Sequence, residues 1–498
     1  MRRSRILELV RRSAAALLML GSVGVMSESL VVAQDANCAC PTPTCQPQCS
    51  DEIYKQAGDR LAQQLQQMGS QPCGQGQCAA GGNSGCNAGC DSGCNGGCHG
   101  GSMFKSLFAG TDGCEEEKKE PWALVDVFTD ECGKNWLKDN GTVISGWVQM
   151  GYQSKPDGAF TGNGPFLSQR EHSRFNLNQA YIYIAKVADG TKGFDWGYRA
   201  DFMYGVDGNE AQSFGNFNGG HFDYLNGWGG PNGVVPEPNS HGAYEFALPQ
   251  LYGEVAMGNL SVKAGHFYTP IGYEVVTSPD NFFLSRQVTF YNSEPFTHTG
   301  ALATYKVDDK LTLIGGYELG WDTGFYQYDK GSMGIGGFTY AATEKTTLTY
   351  AGGFGNFGWR GEGAINSFIL SQKWTDKLMS VHQFDVLNTS GTTVVAGGGN
   401  FATNGVAGDS TGLINYLFYE IDAKWKAGVR QEWYKADGVS YNTFTYGVNY
   451  KPTANLTIRP EMRHLWSPGG QNVAGALPGI TSVYGSSNVF GVDAIFKF

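Results

Sequence analysis

The sequence predicts an all-β fold: a transmembrane antiparallel β-barrel of about sixteen strands, in the range of about 14–18, behind a Cys-rich N-terminal extension. Three observations carry this. Charged residues make up only 16% of the 498, against roughly 25% in ordinary soluble domains, while Gly reaches 72 and aromatics 13%. From about Gly141 onward, apolar and polar residues alternate with period two. Finally, the connections between strand-length stretches alternate between short and long.

The first 33 residues read as an export signal. Arg2, Arg3, Arg5, Arg11 and Arg12 form a basic region, Ala14–Val25 is apolar, and Val31-Val32-Ala33 offers small residues for cleavage before Gln34. Beyond this leader no apolar run is long enough for a spanning helix, and mean hydropathy is −0.29. The net charge of −11 excludes the basic face that nucleic acid requires.

Residues 34–140 form a second chemical region. It holds all twelve cysteines: Cys38, Cys40, Cys45, Cys49, Cys73, Cys78, Cys86, Cys90, Cys94, Cys98, Cys114 and Cys132. In an exported chain an even, clustered set points to disulfides. Ile53, Ala57, Leu61, Leu65 and Met68 mark one short amphipathic helix over 51–69, an element able to self-associate. In the Cys/Gly repeats at 85–101 a cysteine recurs every fourth residue. Thiolates at that spacing with His99 could ligate zinc, but the glycines give no scaffold for tetrahedral geometry, so disulfides are preferred and no metal or cofactor is expected.

The barrel stretches begin with 142–153 and end with 488–498. In 194–204, Phe194, Trp196, Tyr198, Ala200, Phe202 and Tyr204 share one face; Asp195, Arg199 and Asp201 share the other. The stretch 413–424 extends an alternation in which Glu420, Asp422 and Lys424 oppose Leu417, Tyr419, Ile421 and Ala423. In 455–466, Arg459, Glu461 and Arg463 oppose Leu456, Ile458 and Met462, and Arg430 and Glu432 belong to 427–436. A soluble sandwich would bury the apolar face, whereas a membrane barrel turns it to lipid and lines water with the charged one. Loop lengths decide between them. Short links such as Gly258-Asn259 and Lys451–Ala454 alternate with long ones at 154–173, 205–246, 269–297, 389–412 and 467–487, the asymmetry of an outer-membrane barrel.

The charged set is therefore a list of pore-lining candidates, able either to set a transverse field or to pair off and stiffen the wall. The third long loop carries Glu274, Asp280, Arg286 and Glu294, with His298 just beyond. Folded inward it would form a constriction; folded outward, a lid. The chain ends N-V-F-G-V-D-A-I-F-K-F, where Phe490, Val492, Ala494, Phe496 and Phe498 alternate as a closing strand and assembly signal would, with Asp493 and Lys497 on the other face.

Several segments resemble the OmpL-like β-barrel porins of diderm bacteria: F-N-L-N-Q-A-Y-I-Y-I at 175–184, A-L-P-Q-L-Y-G-E-V at 247–255, V-K-A-G-H-F-Y-T-P-I-G-Y-E at 262–274, E-P-F-T-H-T-G-A-L-A-T-Y-K at 294–306 and N-L-T-I-R-P-E-M-R at 455–463. The resemblance covers roughly 120–498 and implies a channel in the bacterial outer membrane. Where an Asp commonly follows the late R-x-E-x-R motif, His464 stands here, so no binding role is carried to that position.

The expected function is passive diffusion of small hydrophilic solutes or ions. The expected partners are outer-membrane lipid, the outer-membrane assembly machinery and two further copies in a homotrimer, with the extension and C-terminus in the periplasm. The alternative is a structural protein that tethers or crosslinks the envelope through its cysteines. An enzyme is not expected: His266, His382 and His464 are the barrel histidines, and none lies in a recognisable nucleophile motif.

Overall fold

In the computed structural model the described residues are 123–130, 133–154, 175–213, 244–327, 330–390, 409–436, 439–466, 468 and 486–498. The export signal, the 51–69 helix, the Cys/Gly repeats and all twelve cysteines lie outside them, as do most of four of the long loops.

Period-two sequence becomes sixteen strands. These are β1 (Thr142–Gln153), β2 (Phe175–Lys186), β3 (Asp195–Gly205), β4 (Glu245–Met257), β5 (Leu260–Tyr268), β6 (Thr297–Lys306), β7 (Leu311–Glu318) and β8 (Ser332–Thr343). The second half comprises β9 (Thr346–Asn356), β10 (Glu362–Lys373), β11 (Leu378–Thr389), β12 (Asp409–Glu420), β13 (Trp425–Ala436), β14 (Val439–Tyr450), β15 (Leu456–Trp466) and β16 (Ser486–Lys497). Each pairs antiparallel with its sequence neighbours, and β1 pairs with β16 to close the ring. Closure removes the edges whose unpaired backbone groups lipid could not satisfy.

The terminal strand is the seam. Gly151 lies opposite Asp493, and Phe498 exchanges backbone hydrogen bonds of 2.9 and 3.0 Å with Gly146. Phe490 and Phe496 are exposed on the outer face, as are Trp196, Phe202, Leu417 and Tyr419, while Asp493 is buried inside. Trp425 stacks on Tyr450 at the short-turn rim, where an interfacial aromatic is favoured.

Two boundaries differ from the sequence reading. β12 begins near the long-loop end at Asp409, four residues earlier than the apolar pattern indicates, because pairing there continues past the apolar band. At its other end β12 stops at Glu420. The carboxylate of Asp422 accepts from the backbone N–H groups of Lys424 and Trp425 at 2.8 and 2.9 Å, a side-chain turn that ends the strand despite unbroken alternation. Asp422 and Lys424, expected on the pore-lining wall, are corrected to the exposed hairpin turn between β12 and β13. A third irregularity is a bulge in β2. The register runs Gln149 to Gln179 and then Met150 to Leu177, so Asn178 is the extra residue and both Asn178 and Gln179 are buried.

Candidate functional site

The third long loop, residues 269–296, folds into the barrel, and every residue from Asn281 to Phe290 is buried. It contains a short 3₁₀ turn at Ser278–Asp280 and one helical segment, α1 (Val288–Ser293). Its neck is drawn together by the backbone N–H of Thr269 on Phe296 O at 3.0 Å, and by Thr269 Oγ1 at 2.9 Å from His298 Nε2. His298 therefore stands on β6 at the base of the loop. Gly272 has φ of +90°, and a Cβ there would lie 1.9 Å from the Glu294 carboxylate, so only glycine fits this first bend.

One side of the loop meets charges. Arg430 donates to Glu274 Oε1 at 2.5 Å, to Ser285 O at 2.9 Å and to Arg286 O at 3.2 Å. Glu432 accepts from the N–H groups of Val288 and Thr289 at 2.9 and 2.8 Å, which satisfies two of the donors left open at the start of α1. Glu461 accepts from Ser285 N at 3.2 Å. Arg459 donates to Ser278 O and Asn281 O at 2.9 and 2.6 Å while forming a bidentate pair with Asp493 on β16. The pair stiffens the wall and the same guanidinium grips the loop.

The other side is apolar. Tyr273, Phe282 and Phe283 pack with Ile369, Val381, Ile414, Tyr416 and Phe418 from β10, β11 and β12. Phe282 stands 5.0 Å from the Phe418 ring, and a Cβ on Gly428 would come within 2.6 Å of it, so the wall is kept small where the ring presses in.

Within the loop, Arg286 donates to the carbonyls of Val275, Val276 and Leu284, and Thr277 caps Asp280 at 2.5 Å. Burial holds the Arg286 guanidinium below its usual range, against the pull of Glu274 and Asp207. Glu294 shares the Gln383 amide with Asp385, at 2.6 and 2.8 Å. Burial first, and Asp385 beside it second, push the Glu294 carboxyl well above the usual carboxylate range.

The remaining expected wall charges separate by environment. Asp195 pairs with Lys186 at 2.8 Å near the short-turn rim. Arg199 and Asp201 form a bidentate pair, and Asp201 also takes the Tyr181 hydroxyl and the Gln250 amide. Arg463 is 1% exposed, yet its guanidinium makes no hydrogen bond; Glu318 on β7 is likewise buried with neither carboxylate oxygen bonded.

Sequence reasoning missed several loop partners. Gln179 accepts from Ser278 N at 3.1 Å and donates to Val276 O at 2.8 Å. Gln287 donates to Gln383 and Tyr416, and Arg360 donates to Asn292 O at 2.8 Å. The consecutive polar pair Asn178-Gln179 inside an otherwise alternating strand was the one available signal. Of the histidines, His266 meets Ser213 and Thr299 at 3.0 and 2.7 Å, His382 meets Ser380 and Asn415 at 3.2 and 2.7 Å, and His464 stacks on Tyr446. Ser380 Oγ also accepts from Trp374 Nε1 at 3.0 Å.

Residues 141–498 match the family described as "Putative beta-barrel porin-2, OmpL-like". No curated protein sequence matches the chain. Among solved structures, an anion-selective porin from Comamonas acidovorans is 10% identical, covering 72% of this chain and 99% of that one, with a TM-score of 0.44. OmpT of Vibrio cholerae in trimer form is 10% identical over 72% and 99%, with a TM-score of 0.41. A mutant of the Rh. blastica porin is 12% identical over 72% and 100%, with a TM-score of 0.40.

Proposed function

The chain belongs to this family of outer-membrane β-barrel porins, and we propose that it passes small hydrophilic solutes or ions by passive diffusion, with residues 269–296 as the constriction. The observation that carries the proposal is the inward loop itself, seated on apolar residues along one flank and on ionised side chains along the other. A segment so held narrows a passage. Glu274, Asp280, Arg286 and Glu294 form the loop's charged inventory, and His298 serves its neck.

Arg463 and Glu318 are buried on opposite sides of the barrel. β15 and β7 stand eight strands apart in a ring of sixteen, on opposite walls, and neither group makes a hydrogen bond that would fix its charge to a neighbour.

The short-turn end and C-terminus face the periplasm in this reading, because long loops of such barrels are extracellular. The alternating outer-face set ending at Phe498 is read by the assembly machinery. Deletion of Phe498 should reduce assembly into the membrane while export continues; unchanged assembly contradicts that role. The homotrimer is tested by native mass measurement in detergent. For conduction, purified full-length protein in a planar bilayer should give discrete current steps. Their absence with correctly folded protein would overturn the porin function.

A further inference from the structure

Between the tip of the inward loop and the short-turn rim lies a cavity of about 300 Å³. Its floor is Pro279, Asn281 and Phe282 of the loop, and its wall carries Lys424, Lys426, Lys451 and Lys497. The fold brings these lysines together from separate strands and turns. Lys451 N bonds to Lys424 O at 2.8 Å, Lys426 lies opposite Asn449 on β14, and Lys497 N bonds to Asn455 O at 2.8 Å. Lys426 holds its ammonium 5.1 Å from the Phe418 ring centre, on the cavity side.

The acids available are few. Glu420 and Asp422 line the same space, but Asp422 is engaged by backbone N–H groups. Arg459, also in the lining, is already neutralised by Asp493. Four ammonium groups thus face two carboxylates. Burial and the nearby Lys497 hold the Lys451 ammonium below its usual range, against the pull of Glu420. Crowded ammonium groups in a partly enclosed cavity gain from an anion that bridges them.

We propose that this vestibule is a binding site for small oxyanions, phosphate or carboxylate in class, which makes the pore anion-preferring although the chain as a whole is acidic. The inference rests on the porin function above and names its solute class. Phe282 and Phe418 give the vestibule an apolar side, which suits an anionic group carried on a small organic body.

The test is the reversal potential of full-length protein in a planar bilayer under a KCl gradient, with inorganic phosphate then added on the short-turn side. The natural protein should prefer chloride, and phosphate should reduce its chloride current. In Lys451→Gln/Lys497→Gln the chloride-to-potassium permeability ratio should fall between several-fold and about tenfold, and phosphate should lose its effect. Lys306→Gln/Lys310→Gln, at the turn between β6 and β7, should change neither. Heat-modifiable gel mobility confirms that each variant forms the barrel. Current steps with a cation preference in the natural protein, or an unchanged ratio in the vestibule variant, overturn the proposal. No current steps at all would instead overturn the porin function beneath it.

Discussion

The inward loop is held by two seats built on different physics. Toward β13, β15 and β16 it is gripped by Arg430, Glu432, Arg459 and Glu461, all buried. Toward β10, β11 and β12 it rests on a pocket filled by Phe282, Phe283 and Tyr273. The apolar seat is non-directional and tolerates small shifts. The charged seat fixes register, because each ionised group meets particular backbone atoms of the loop and is costly to leave unmatched. Together they hold a long segment inside the barrel while keeping polar groups along the passage.

The largest effect should come from breaking the charged seat at its centre. Arg430→Ala leaves Glu274 buried without its partner and frees the Ser285 and Arg286 carbonyls, at a cost of about 3–5 kcal/mol. The urea midpoint should fall, and single-channel current should become larger and noisier. Phe282→Ala attacks the apolar seat and should cost about 3 kcal/mol through lost packing and a cavity against Phe418. Here the current should rise with little added noise, since the directional bonds survive; equal noise in both variants would erase the distinction between the seats. Gly272→Ala should act more locally, displacing Glu294 from Gln383 and lowering the thermal midpoint by a smaller amount.

The smallest effect is the pH response of Glu294. Its carboxyl in the folded protein binds a proton more tightly than in the unfolded chain. Its contribution is therefore fully present below the ordinary glutamate range and is lost as pH rises through the elevated folded value. Rising pH should loosen the loop near Asp385 and raise current fluctuations, and Glu294→Gln should flatten that dependence. A retained pH profile in the variant would place the titration elsewhere.

Much of the fold was legible because lipid enforces a strict rule: outward residues must be apolar, so period two persists through β3, β13, β15 and β16. Where the rule relaxes, legibility fails. The alternation of β12 runs on through Asp422 and Lys424 because the turn preserves it, and the strand starts before its apolar pattern does because pairing outlasts the apolar band. The site was legible in its charged members but not in their partners. Arg430 and Glu461 announce themselves by sign, yet nothing local says that their targets are backbone atoms 145 and 176 residues away. Gln179, Gln287 and Gln383 carry no sign at all, and neutral amides have little preference between a wetted wall and a buried one.

The central claim is that residues 269–296 narrow the passage. The most direct test replaces 275–293 with a short Gly/Ser link and measures single-channel conductance of the folded barrel in a planar bilayer. Conductance should rise several-fold, with ion selectivity at the narrowed section reduced. An unchanged conductance would mean that the current is limited elsewhere, and the account of the loop as the constriction would be wrong.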